Sequence, residues 1–169
     1  MNATKRYLIY LLLFVVLFIR LDTRIQFNSN KFGILSKYVR EYVKYSKKYN
    51  VYDEDDFLKL EFIKIVDNNE VLKDKNVLGF CMIKGLFFNK TRIIISSQIY
   101  IRERDYEDLK NTEEFRWLMF HELSHCFYYS EHIKDSNQLM NPYIGEVSKE
   151  KLDSMIRRYF RELQKNKLT

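Results

Sequence analysis

Phe120-His121-Glu122-Leu123-Ser124-His125-Cys126 is the stretch around which the rest of the chain is organised. It spells H-E-x-x-H. Residues 112–129 contain no Gly or Pro and are rich in helix-compatible types. Asn111 or Thr112 can cap the start, and Glu114 stands three residues after Asn111, as a capping box requires. The pattern predicts a helix here. Residues four apart on a helix lie almost one above the other, about 6 Å along the axis, so His121 and His125 can point at one ion. Glu122 sits a step round the helix, within reach of a water held by that ion. Two His ligands with a Glu general base is the arrangement of metal-dependent hydrolases.

The competing explanation is a buried helix whose histidines are ordinary core or surface residues. It must treat as accident that the chain's three histidines, His121, His125 and His132, all fall within twelve residues. The metal reading is the better one.

Outward from this motif, 169 residues correspond to one domain with a short appendage. A hydrophobic share of 46% is enough to fill a core. The net charge of +6 does not imply nucleic-acid binding. Lysines and arginines are scattered among acids, and no basic run carries interleaved aromatics at a recognisable spacing. Cys81 and Cys126 are too few for a disulfide framework; they can pair once in an oxidising compartment or stay as buried thiols. Cys126, placed to point away from the ligand face of its helix, reads as a core residue.

Lys5 and Arg6 precede thirteen uncharged, mostly large apolar residues, 7–19. This matches the charged and apolar regions of a secretory signal. As a helix it would span about 20 Å, short for a membrane crossing. No small-x-small cleavage pattern follows, so a retained signal anchor is expected ahead of a cleaved peptide. The division is therefore 1–24 as signal anchor or signal peptide and 25–169 as the functional domain, membrane-anchored or exported.

Residues 28–33 read as a linker. A helix is expected over 34–49, with apolar positions 35, 38, 39, 42 and 43 on one face. Residues 53–56 form an acidic turn, and 57–66 alternate as a half-buried strand. Strands are expected at 77–83 and 92–101, joined by a turn around Asn89-Lys90. Ser148 can cap a last helix whose stripe is Leu152, Met155, Ile156, Tyr159, Phe160 and Leu163. The fold class is α+β, with a small mixed sheet packed on a central H-E-x-x-H helix that is apolar on more than one side.

A catalytic zinc takes three protein ligands. His132 is the obvious third, on one condition: were the helix to continue, position 132 would lie about 16 Å along the axis from His121. The helix must break after about Tyr129 and the chain turn back, with Ser130 the one mild breaker. Asp135 and Glu146 are rival third ligands through a carboxylate oxygen.

The H-E-x-x-H-Cys stretch, six residues between His125 and His132, and Leu139-Met140-Asn141-Pro142 together resemble the metzincin side of the zincin metallopeptidases, and more closely small bacterial and phage zincin peptidases. The resemblance covers about residues 77–143. It implies one Zn2+ per chain held by His121, His125 and His132, Glu122 as general base, and Met140 as a hydrophobic floor beneath the metal. Tyr143 would be a candidate oxyanion donor. An extended protein or peptide substrate would lie along a sheet-edge strand, expected at 92–101. The chain departs from the usual metzincin spacing, with Glu131 where the third His falls and Tyr128 where a Gly falls. Ser124 replaces a Gly common in the closer relatives. The expected function is a zinc-dependent peptidase anchored through its N-terminal segment; the alternative is a membrane-anchored zincin-fold protein that binds metal or a partner without turnover.

Overall fold

The computed structural model of the chain describes residues 28–67, 77–88, 91–143 and 145–168. The expected signal anchor or signal peptide, 1–24, and the turn at 89–90 lie outside the described residues. No described helix is long and apolar enough to cross a membrane.

A 3-10 helix, Ser29–Leu35, leads into α1, Ser36–Lys48. Next come α2, Glu54–Leu58, and β1, Leu60–Val66. The hairpin strands β2, Gly79–Phe88, and β3, Thr91–Arg102, follow. Then come α3, Glu103–Leu109, the long α4, Glu113–Tyr128, and α5, Lys149–Leu168. The sheet order is β1-β3-β2, with β1 parallel and β2 antiparallel to β3. This is a small α+β fold with a mixed three-stranded sheet.

The stretch read as a linker is a 3-10 helix instead. Phe32 and Leu35 are buried in the core, and Asn28 caps the turn by accepting the Asn30 N–H. The acidic turn is the start of α2, where Asp53 accepts the N–H groups of Asp55 and Asp56. Acidic side chains suit a helix N-terminus, so the cluster has a structural role. Helix α3 follows β3 without a break and has no counterpart in the expected elements.

The largest correction concerns the expected edge strand. From Ser97 to Arg102, β3 is paired on one side with β1 and on the other with β2. Its backbone groups there are already used, so residues 92–101 offer no full edge to an extended substrate. Among the described residues β2 has a partner on one side only and is an edge strand.

Helix α4 lies between the sheet and the helical layer. Ile99 and Ile101 face the core from β3, while Tyr42 of α1 packs on Phe120 and Phe127 of α4 and on Phe160 of α5. Phe57 stacks on Phe127 with ring centroids 3.8 Å apart. Ser124, fully buried, donates to the Phe120 carbonyl and meets the Tyr42 hydroxyl at 3.0 Å, so it faces α1. Arg116 joins three helices through Glu41, Glu113 and Asp153.

Cys126 is buried, as expected, but it is also disulfide-bonded to Cys81, tying α4 to β2. The Cα–Cα distance of 5.6 Å suits such a bridge.

Phe57→Ala should lower unfolding free energy by about 3–5 kcal/mol in urea titrations, because a fully buried aromatic leaves a cavity. Replacing both cysteines by Ala opens a loop of separation 45 and should cost up to about 4 kcal/mol in the same measurement.

Candidate metal centre

Thr112 caps α4 through the Phe115 N–H, while the Glu114 carboxylate receives the Val147 N–H. The helix ends where the sequence required it to. Tyr129 adopts a left-handed conformation, φ 51° and ψ 33°, and its N–H bonds the Ser124 carbonyl. A non-glycine residue in this region carries a conformational cost of about 1–2 kcal/mol, so neighbouring contacts must hold it. The segment that follows runs back past the helix.

That reversal brings His132 to His121 and His125. The three Nε2 atoms are 3.0–3.1 Å from one another. Each ring nitrogen on the far side of the two helical histidines is fixed by a carbonyl. His121 Nδ1–H donates to Leu139 O at 3.0 Å, and His125 Nδ1–H donates to Ser130 O at 2.6 Å. A carbonyl can only accept, so in the neutral rings both Nε2 atoms present bare lone pairs to each other. His121 is further held by stacking on Trp117, centroids 4.7 Å apart.

Converging lone pairs need a proton donor or a cation between them. Burial lowers the tendency of His121 and His125 to take up a proton, pushing His121 down to about 3. A metal ion meets the requirement. Three nitrogens at about 2.0–2.1 Å from a tetrahedral ion are about 3.3 Å apart, close to the observed spacing. Imidazole nitrogen suits zinc, copper, iron and nickel. These three histidines form the group able to hold a metal among the described residues. Asp135 closes a local turn on the Asn137 N–H, and exposed Glu146 lines a hollow beyond Trp117; neither belongs to this group.

Glu122 is buried, 4% exposed, and lines the same cleft as His121 and His132. Its carboxyl bonds the Cys81 backbone N–H, and its buried Oε2 has no hydrogen-bond partner among the described residues. Burial pushes this carboxyl up to about 8, against the pull of that N–H. A divalent cation beside it acts the opposite way and favours the carboxylate. Gly79 lets β2 come this close: a Cβ there would lie 2.9 Å from Ile101 Cδ1 and 3.4 Å from Glu122 Cγ.

Met140 is in the core, and its carbonyl accepts the Ile133 N–H, bracing the residue next to His132. The turn thus meets the centre through backbone groups, those of Leu139 and Met140. Tyr143, 76% exposed, stands on the rim of the cleft. Sequence reasoning missed the Ser130 and Leu139 carbonyls, the Cys81 N–H, and two arginines lining the cleft: Arg104, and Arg102, which is buried against Asp105. Backbone partners leave no residue signature. Arg102 ends β3, while Arg104 lies in the first turn of α3, a helix the expected elements did not contain.

No protein-family profile, curated protein or solved structure matches the chain. The donor geometry makes its own forecast. The full chain should bind one transition-metal ion, measured by elemental analysis after gel filtration. His132→Ala should weaken binding by more than about 100-fold, since loss of outer hydrogen-bond partners alone costs 10–100-fold. Asp135→Ala and Glu146→Ala should leave it unchanged.

Proposed function

We propose that the chain is a zinc-dependent peptidase of the zincin type, metzincin-like, which hydrolyses peptide bonds with Glu122 as general base. The observation that carries this reading is the joint one. Three imidazoles converge on a point, and a buried carboxyl with an unpartnered oxygen shares their cleft. Catalytic zinc sites use three protein ligands, and three His is one of the recurring sets.

His121, His125 and His132 would hold the zinc. When bound, the ion supplies Lewis acidity, acidifying water and polarising a carbonyl. Glu122 would take the proton of the attacking water and pass it to the leaving amine. The Cys81 N–H keeps that carboxyl in place. An extended substrate would pair with the open edge of β2, in the cleft of about 520 Å3 that Gly79, Phe80 and Cys81 line opposite Tyr129, Ser130 and His132. Tyr143 on the rim is the candidate oxyanion donor.

The spacing departs from that of metzincins by one residue. Their Gly would fall at 128 and their third His at 131. Here the left-handed residue is Tyr129 and the His is His132, so both are displaced by one and keep their separation. Membrane anchoring through residues 7–19, or export, agrees with the Cys81–Cys126 bridge, since disulfides persist in oxidising compartments.

Glu122→Gln should keep zinc content and fold while hydrolysis of a broad peptide library falls by about 100- to 10,000-fold. An active variant would remove Glu122 from the mechanism. Zinc-loaded but inactive unaltered protein would favour the alternative, metal or partner binding without turnover.

A further inference from the structure

The hairpin of β2 and β3 outruns the body of the sheet. β1 pairs with β3 from Ser97 onward, so before Ser97 β3 has β2 alone as its partner among the described residues. At this point the ladder is irregular: Lys84 stands opposite Ser96 and Gly85 opposite Ile94, which leaves Ile95 as an extra residue. Such a bulge bends and twists the strand pair. Gly85 permits it, because a Cβ there would lie 2.5 Å from the Ile93 carbonyl oxygen.

At and beyond the bulge, three of the described side chains are aliphatic and exposed. Leu86 and its cross-strand partner Ile93 are 50% and 53% exposed, and Ile95 is 65% exposed. Ile34, also 65% exposed, sits on the 3-10 helix. That helix is fixed to the same end of the sheet, since Lys31 donates through Nζ to the carbonyl of Leu60, the partner of Ser97. Lys31 and Lys84 both act on the Glu61 carboxylate, which Gln98 also binds. Lys31 and Lys84 therefore both stand near Glu61, at the end of the sheet where Leu60 pairs with Ser97.

We infer that this end of the sheet, Leu86, Ile93, Ile95 and Ile34 together with Lys31 and Lys84, docks on an anionic lipid surface. Exposed aliphatic side chains partition into the headgroup boundary, and each nearby lysine adds attraction to anionic lipid. The preceding chain favours lipid over another occupant. Residues 7–19 are an uncharged apolar run, and only residues 20–27 separate it from the 3-10 helix at Asn28. Eight residues reach at most about 29 Å, so a membrane-inserted run would hold this surface close to the bilayer.

The test uses the full chain with Ile95→Trp, reconstituted into vesicles of phosphatidylcholine alone or mixed with phosphatidylserine, with brominated acyl chains as quencher. Signal from the chain's own Trp117, buried in the core, is subtracted using the unaltered protein. On anionic vesicles the added indole should be blue-shifted and quenched, and Lys84→Gln should lower the docked fraction about 5-fold. Resistance to carbonate extraction reports insertion of the N-terminal run separately. An extracted-resistant protein with an unquenched, water-like indole would overturn the inference and leave the anchor standing. So would a blue shift without bromine quenching, which would mean that residues 7–19 or a second copy cover the patch. Quenching that is independent of anionic lipid and of Lys84 would overturn the part given to the lysines.

Discussion

Helix α4 is covered on almost every side, and the whole arrangement depends on that. Eleven of its side chains are buried, and the apolar ones among them pack in one core with the sheet, α1 and α5. A helix so enclosed cannot rotate to present a different face without emptying the core. The face left open carries His121, His125 and part of Glu122 to the cleft. Each fully buried aromatic or aliphatic side chain contributes about 1.5–3 kcal/mol, so the direction of the site is fixed by hydrophobic burial before any polar contact forms.

Polar contacts then settle orientation. The Cys81–Cys126 bridge and the Cys81 N–H hold β2 against α4, one residue from a helical histidine and on the Glu122 carboxyl itself. On the other side, residues 130–140 supply the carbonyls that fix both helical imidazoles and contribute His132. Outer partners of this kind set tautomer and ring plane, and they weigh heavily in metal affinity. The proposed zinc chemistry draws on both supports, since one holds the base and the other the ligands.

Much of this was legible in the residues. The i, i+4 histidines, the capped run free of Gly and Pro, and the need for a break near Tyr129 gave the helix, its end and the return of His132. The break itself had no local signal, because Tyr129 takes a left-handed conformation that its side chain disfavours; contacts from the rest of the fold impose it. Tertiary burial likewise overrode the polar look of residues 28–33, where Phe32 and Leu35 are drawn into the core. Strand identities were readable from alternation, but strand order was not. Which of two adjacent strands becomes central depends on where β1 returns to pair, and β1 chose β3. The same limit left Cys81 and Cys126 open between one bridge and two buried thiols; the fold brings these residues, 45 apart, together.

The loop of residues 130–140 touches all three imidazoles: Ser130 holds His125, His132 belongs to it, and Leu139 holds His121. It is a single short segment, braced internally by Ile133 on Met140. Partial loosening of the centre is therefore difficult, because a local opening of this segment releases two outer supports and one donor together. Exchange of an ion at the centre would accordingly follow the opening rate of the loop, a sub-global event with its own free energy, rather than the stepwise loss of one nitrogen at a time. Kinetic retention of the ion and rigidity of this loop become one property.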